Sequence, residues 1–183
     1  MSHDNFKSGW QHGPGVCGGG SLDEYINLDA NEFMFLIALA ATGKPVINEA
    51  GCGDLFWLRN HYAFFEHFVD YRGYELNARE LHENCDSLQF EPNFDICTRV
   101  MRPCDIILSR LVFIHLPNSM IAQALVNFRA TGAKFLIASA YSLSNNDSRQ
   151  QAPSYVGQPY DLTQAPFNLE AICSTGRNAL FAL

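Results

Sequence analysis

A chain of 183 residues, 48% hydrophobic and 17% charged, carries enough apolar content for the core of one ordinary domain and is no disordered tail. Its 12 Lys and Arg against 19 Asp and Glu give a net charge of −7, which with a pI near 5.2 argues against a protein that grips nucleic acid through its overall field. A mean hydropathy of −0.07, with the longest apolar run at Phe33–Ala41, excludes a membrane span, which needs about 20 apolar residues.

Residues 1–21 end in Gly13-Pro14-Gly15-Val16-Cys17-Gly18-Gly19-Gly20-Ser21 and are expected to form a flexible glycine-rich arm or a lid. Residues 22–183 are expected to form a single domain. The opening Met1-Ser2-His3-Asp4-Asn5 is polar and has no signal-peptide segment, so a cytoplasmic protein is expected. From Leu22 to Ala41 the chain reads as one or two helical pieces: Phe33, Leu36, Ile37 and Ala40 recur at the spacing of one buried face. Gly43 and Pro45 stop it.

Val46–Ala50 is the first strand, followed by Gly51-Cys52-Gly53-Asp54. Leu55, Leu58, Tyr62 and Phe65 then predict a helix from Leu55 to Phe65. The second strand is Val69–Glu75, a polar helix covers Asn77–Asn84, and a third strand lies in Leu88–Glu91 with Phe94-Asp95-Ile96 just beyond. Cys104–Ser109 is the clearest buried strand. Pro117-Asn118-Ser119 opens a helix to about Arg129, and Lys134–Ala140 is the fifth strand. Tyr141–Ala165 is rich in Ser, Asn, Gln and Pro and long enough for a covering loop. Asn168–Ser174 and Ala179–Leu183, around Thr175-Gly176-Arg177-Asn178, close the chain as an antiparallel hairpin. Strands alternating with helices imply right-handed crossovers, hence an α/β Rossmann-like fold: a mostly parallel, doubly wound sheet with a C-terminal antiparallel hairpin.

The six cysteines, at 17, 52, 85, 97, 104 and 173, include no Cys-x-x-Cys pair and no zinc-site spacing, so reduced thiols and no metal are expected.

In an open parallel sheet ligands sit beyond the carboxyl ends of the strands, so the residues that follow each strand are the informative ones. Gly51 and Gly53 allow a tight turn and close backbone approach, with the free N–H groups of the following helix behind them. Glu75 lies 24 residues beyond Gly51, where a carboxylate can accept both hydroxyl hydrogens of a ribose. Asp95 beside Phe94 and Ile96 suits adenine: the acid accepts from the exocyclic amine and the apolar neighbours cover the ring. A solvated helix-opening Glu and a turn Asp are the plain alternatives for each taken singly; the ordered set points to a nucleoside.

This order resembles the class I S-adenosylmethionine-dependent methyltransferases. Val46–Asp54 is similar to their first motif, Tyr71–Glu75 to the second, Phe94–Ile96 to the third, and Cys104–Arg110 with His115-Leu116-Pro117 to the fourth strand and the segment after it. Asp54-Leu55-Phe56-Trp57 continues the likeness to a subgroup whose Gly-Cys-Gly-Asp loop is closely followed by Trp. The third glycine of the family loop is Leu55 here, and no helix is expected between the fifth strand and the hairpin. The resemblance implies S-adenosylmethionine as co-substrate, with Glu49, Gly51, Cys52, Gly53 and Asp54 around its methionine part. It further implies Glu75 and Leu76 at the ribose, Asp95 and Ile96 at the adenine, and Ser109 and Arg110 near the sulfonium and acceptor.

Two residues are candidates for catalysis. His115 titrates near neutrality and could serve as a base, or simply be a polar residue at a helix start. Arg110 could pair with an anionic group of the substrate, or form a structural ion pair with Asp105 or Glu75. Trp57 either lines the cofactor mouth or joins the core, and Tyr141, Tyr155 and Tyr160 are candidates for an acceptor pocket. His61, His67 and His82 read as surface positions, and Trp10 and His12 lie in the arm. The expected activity is methyl transfer to a small-molecule or end-group acceptor, with a non-catalytic S-adenosylmethionine-binding module as the alternative. A nicotinamide or flavin oxidoreductase is disfavoured, since its Gly-x-Gly-x-x-Gly loop would need glycine where Phe56 stands.

Overall fold

The computed structural model describes residues 23–58, 60–77, 88–147 and 157–183, with backbone alone at 23–28. The expected arm, most of the Asn77–Asn84 helix, Cys85, His82 and Tyr155 lie outside the described residues.

The first helix, α1, runs Asp23–Ala40 as one piece. Its apolar stripe is the expected one, with Phe33, Leu36 and Ile37 buried. The strands follow as β1 (Val46–Ala50), β2 (Asp70–Glu75), β3 (Gln89–Pro92), β4 (Ile106–Ser109), β5 (Phe135–Ser139), β6 (Ala171–Ser174) and β7 (Asn178–Ala182). They form one seven-stranded sheet in the order β3-β2-β1-β4-β5-β7-β6. All pairs from β3 to β5 are parallel; β7 runs antiparallel to both β5 and β6. The expected Rossmann-like sheet with a terminal hairpin is therefore present.

Two apolar layers cover the sheet because strand side chains alternate between faces. On one face Ile47, Ile106, Leu108 and Ile137 pack with α1 and the segment after β1. On the other, Ala50, Ile107, Leu136 and Ala138 pack with α3 (Asn118–Ala130) and with Tyr160, Leu162 and Phe167.

Three local features depart from expectation. The segment after β1 is not one helix. A 3-10 turn at Phe56–Leu58 and a short α2 at Tyr62–His67 replace it, broken at His61. Leu55 has φ 63°, outside the helical region, and the Asp54 carboxylate accepts the N–H of Phe56, closing a turn where a helix would begin. Within Tyr141–Ala165, expected as a loop, two of the described residues are fully buried. Tyr160 is fully buried and donates its hydroxyl to the Ser139 carbonyl at 2.5 Å. Asn146 is fully buried as well, bonding the backbone of Asp161 and Ala165. These two polar side chains are buried with hydrogen-bond partners, so Tyr160 belongs to the core instead of lining an open pocket. Finally, His61 is only half-exposed, and its Nε2 is buried.

Candidate functional site

The chain leaves β1, moves outward through β2 and β3, and returns to the other side of β1 as β4, so the strand order reverses between β1 and β4. Such a reversal opens a crevice at the carboxyl ends of the strands. The sequence-predicted residues Glu49, Gly51–Asp54, Glu75, Leu76, Asp95, Ile96, Ser109 and Arg110 all stand at or just beyond those ends.

The loop after β1 is shaped by backbone bonds. Gly51 and Cys52 both donate to the carbonyl of Tyr74, at 2.8 and 3.2 Å, so the loop folds back over the end of β2. Gly51 has φ 73°, and a Cβ there would lie 2.4 Å from Val112 in the segment after β4. Glycine is required by both the conformation and the crowding. Cys52 is buried and its Sγ rests against Gly73, below the loop. No α-helix follows this loop directly, contrary to expectation: the 3-10 turn Phe56–Leu58 comes first and α2 begins only at Tyr62.

Glu75 ends β2 with its carboxylate turned to the loop. Oε2 accepts the Gly53 N–H at 3.0 Å and Oε1 the Asn77 N–H at 3.0 Å. The Glu75 carbonyl accepts the N–H of Phe94, which ties the Asp95 turn to the same corner. Asp95 caps that turn through the Cys97 N–H at 2.8 Å. Ile96 is buried, its carbonyl held by the Asn127 amide at 2.8 Å. Leu76 is half-buried and Asp54 buried.

Glu49 is fully buried on the α1 face and accepts the hydroxyl proton of Tyr71. Burial raises its pKa to about 7, against the lowering effects of Tyr71, Arg110 and Trp57. Its Oε1 has no hydrogen-bond partner, and neither has the indole Nε1 of Trp57, which acts on the same carboxyl without reaching bonding geometry. Trp57 belongs to the core, edge-on to Phe33 and Phe65 at 5.5 Å each.

Arg110 pairs with neither Asp105 nor Glu75. Its Nε donates to Oδ2 of Asp29 at 3.0 Å, and its guanidinium carbon lies 5.9 Å from the Trp57 ring. Arg177, in the β6–β7 turn, reaches the other Asp29 oxygen at 3.1 Å. Ser109 is fully buried with an unpartnered Oγ. His115 is half-buried at the end of the 3-10 turn Phe113–His115. Tyr141 is half-buried, 5.2 Å from Tyr160. Asp29 and Tyr71 did not emerge from the sequence as site residues. A signal existed for Asp29: it stands at i relative to Phe33, Leu36 and Ile37 at i+4, i+7 and i+8, an acid on an apolar stripe.

Among the described residues no group of His, Cys, Asp and Glu could hold a metal ion, and no helix is long and apolar enough to cross a membrane. Cys52, Cys97, Cys104 and Cys173 are free thiols.

No family model and no curated protein sequence matches the chain. Solved structures do. Magnesium protoporphyrin IX methyltransferase from Synechocystis PCC 6803, with bound SAM, superposes with a TM-score of 0.64 at 13% identity over 98% of this chain and 93% of its own. DhpI in complex with SAH matches with a TM-score of 0.57 at 13% identity, over 87% of this chain and 85% of its own. CalO1, a methyltransferase in calicheamicin biosynthesis in its SAH-bound form, matches with a TM-score of 0.54 at 14% identity, over 87% of this chain and 55% of its own. At such identities the likeness establishes architecture: this chain is built on the class I S-adenosylmethionine-dependent methyltransferase fold.

Proposed function

We propose that the protein transfers a methyl group from S-adenosylmethionine to a small-molecule or end-group acceptor. The observation that carries this reading is the junction of Glu75 with the glycine loop. A carboxylate at the end of the second strand is held by the Gly53 N–H, with the Asp95 turn bonded to the same strand end. The residues fit the donor molecule on the structure's own terms. Gly51 leaves room for backbone where any side chain would collide, Glu75 turns its carboxylate to the Gly53 N–H of the loop, and Glu49 presents a buried carboxyl on the same rim. The neighbours crystallised with SAM or SAH support the same reading.

In this assignment Glu75 and Leu76 hold the ribose, Asp95 and Ile96 the adenine, and Glu49 with Gly51–Asp54 the methionine part. Ser109 and Arg110 face the sulfonium side. When bound, the donor supplies an electrophilic methyl group on a positively charged sulfur. The chain's task is then to align donor and acceptor and to exclude water. Where the acceptor is a hydroxyl or a protonated amine, His115 takes its proton.

Calorimetric titration of the full chain with S-adenosylhomocysteine tests the assignment. Glu75→Ala is expected to weaken binding by about tenfold or more, on the order of 1.4 kcal/mol. Equal affinity in the two proteins would remove Glu75 from the site. Transfer of a labelled methyl group to a cell extract separates the enzyme from a binding module.

A further inference from the structure

Tyr71 and Gly73 alternate with Arg72 along β2 and so share one face of the strand. In the β1–β2 register Tyr71 stands opposite Ile47, and Gly73 stands opposite Glu49. The hydroxyl of Tyr71 nevertheless donates to Oε2 of Glu49, a member of the next pair on that face. Long side chains reach such diagonal neighbours when no side chain stands between. Gly73 supplies the gap. A Cβ there would lie 3.4 Å from the Tyr71 hydroxyl and 2.6 Å from Sγ of Cys52, in the loop after β1. One missing side chain thus seats both the loop and the tyrosine. Tyr71 is 3% exposed and its ring meets Phe65 edge-on at 5.6 Å, so packing aims the hydroxyl.

We propose that Tyr71 is a positioning residue for the donor site: across the gap at Gly73 its hydroxyl fixes the Glu49 carboxyl in the orientation that a cationic group of the ligand meets. This rests on the reading of Glu49 as part of the methyl-donor site, where that cation is the α-ammonium group of the methionine moiety. A carboxyl bonded to a packed phenol cannot swing freely, so binding does not have to order it. Burial favours the neutral form of Glu49, and the Tyr71 phenol favours the charged one. Arg110 and Trp57 act with the phenol, and Glu75 acts against it. Tyr71→Phe leaves those three residues in place and removes one hydroxyl. Glu49 then holds its proton to higher pH, and the ligand binds more weakly.

The full chain is titrated with pH by carbon-13 NMR of its glutamate carboxyls, the Glu49 signal being assigned by its loss in Glu49→Gln. S-adenosylhomocysteine affinity is measured in parallel by calorimetry at pH 8. Tyr71→Phe is expected to move the Glu49 midpoint up from about 7 by at least half a pH unit and to raise the ligand Kd about tenfold. In a Glu49→Gln background the same change is expected to alter Kd by less than about threefold, because the group that the phenol orients carries no charge. Tyr74→Phe is the control for the loss of a buried phenol from the same strand. Its hydroxyl accepts the Arg102 N–H and its ring packs on the other face of the sheet. That control is expected to leave the Glu49 midpoint in place and Kd within about twofold of the parent.

A Glu49 midpoint unmoved or lowered in Tyr71→Phe overturns the proposal. So does a loss of affinity that is equal in Tyr71→Phe and Tyr74→Phe, or undiminished in the Glu49→Gln background. Should Tyr71→Phe not fold, a ring-fluorinated tyrosine at position 71 carries the test with the opposite sign: the stronger phenol donor must lower the midpoint, and an unmoved one overturns the proposal. A parent chain that binds no S-adenosylhomocysteine overturns the donor-site reading and the role of Tyr71 with it. A parent that binds it, with Tyr71→Phe binding equally well, overturns the role of Tyr71 alone.

Discussion

Glu49 concentrates the cost of the site in one side chain. A carboxyl inside an apolar layer prefers its neutral form, and here burial outweighs a tyrosine hydroxyl, an indole and an arginine. Its pKa in the folded chain, about 7, lies above the ordinary glutamate value of 4.5, so the folded state holds more protons than the unfolded state between those two values. Stability therefore falls as pH rises through that window and levels off above it, by at most about 3 kcal/mol from this group. Glu49→Gln keeps an acceptor for Tyr71 and removes the titration. The variant is expected to be more stable than the parent at pH 8, by up to about 3 kcal/mol, and nearly equal at pH 4.5. Urea melts at the two pH values check this; a difference that does not grow with pH contradicts it. The same substitution is expected to weaken donor binding, a case of a functional group retained against stability.

At the level of elements, the loop between β1 and the 3-10 turn is where local rules bend. Gly51 and Gly53 both have positive φ, and so does Leu55, at 63°, where a left-handed conformation costs a non-glycine residue about 1–2 kcal/mol. Leu55 offsets that with a fully buried side chain. Gly51→Ala adds a left-handed penalty and a clash with Val112, and is expected to destabilise the chain by about 2–4 kcal/mol in denaturant unfolding. A loss below about 1 kcal/mol would mean that the segment after β4 gives way freely. This loop also marks how far the sequence could be read. The strands were legible because apolar runs such as Ile106-Ile107-Leu108 permit few other fates. Leu55, Leu58, Tyr62 and Phe65 kept helical spacing across a chain that turns twice, since each buries against the same layer whether or not a helix joins them.

Across the whole molecule, the strand-end residues were legible because the topology gathers them at one rim, and sequence order alone implies the topology. The ion pairs were not. Arg110 lies 81 residues from Asp29, and nothing in the spacing of either announces the other; the pair exists because α1 crosses the sheet face beside the end of β4. For the same reason Tyr160, an open-loop residue by composition, became core once β5 supplied a carbonyl for its hydroxyl. The architecture thus joins two kinds of information, a rim of strand-end residues proposed as the binding groups, written in order along the chain, and a buried charge network that only folding assembles. Calorimetry of the intact chain with S-adenosylhomocysteine weighs the account most directly. The expected result is one site with a Kd below about 100 µM, near 5.5 kcal/mol of binding free energy. A folded sample that shows no heat at about 1 mM ligand would contradict it.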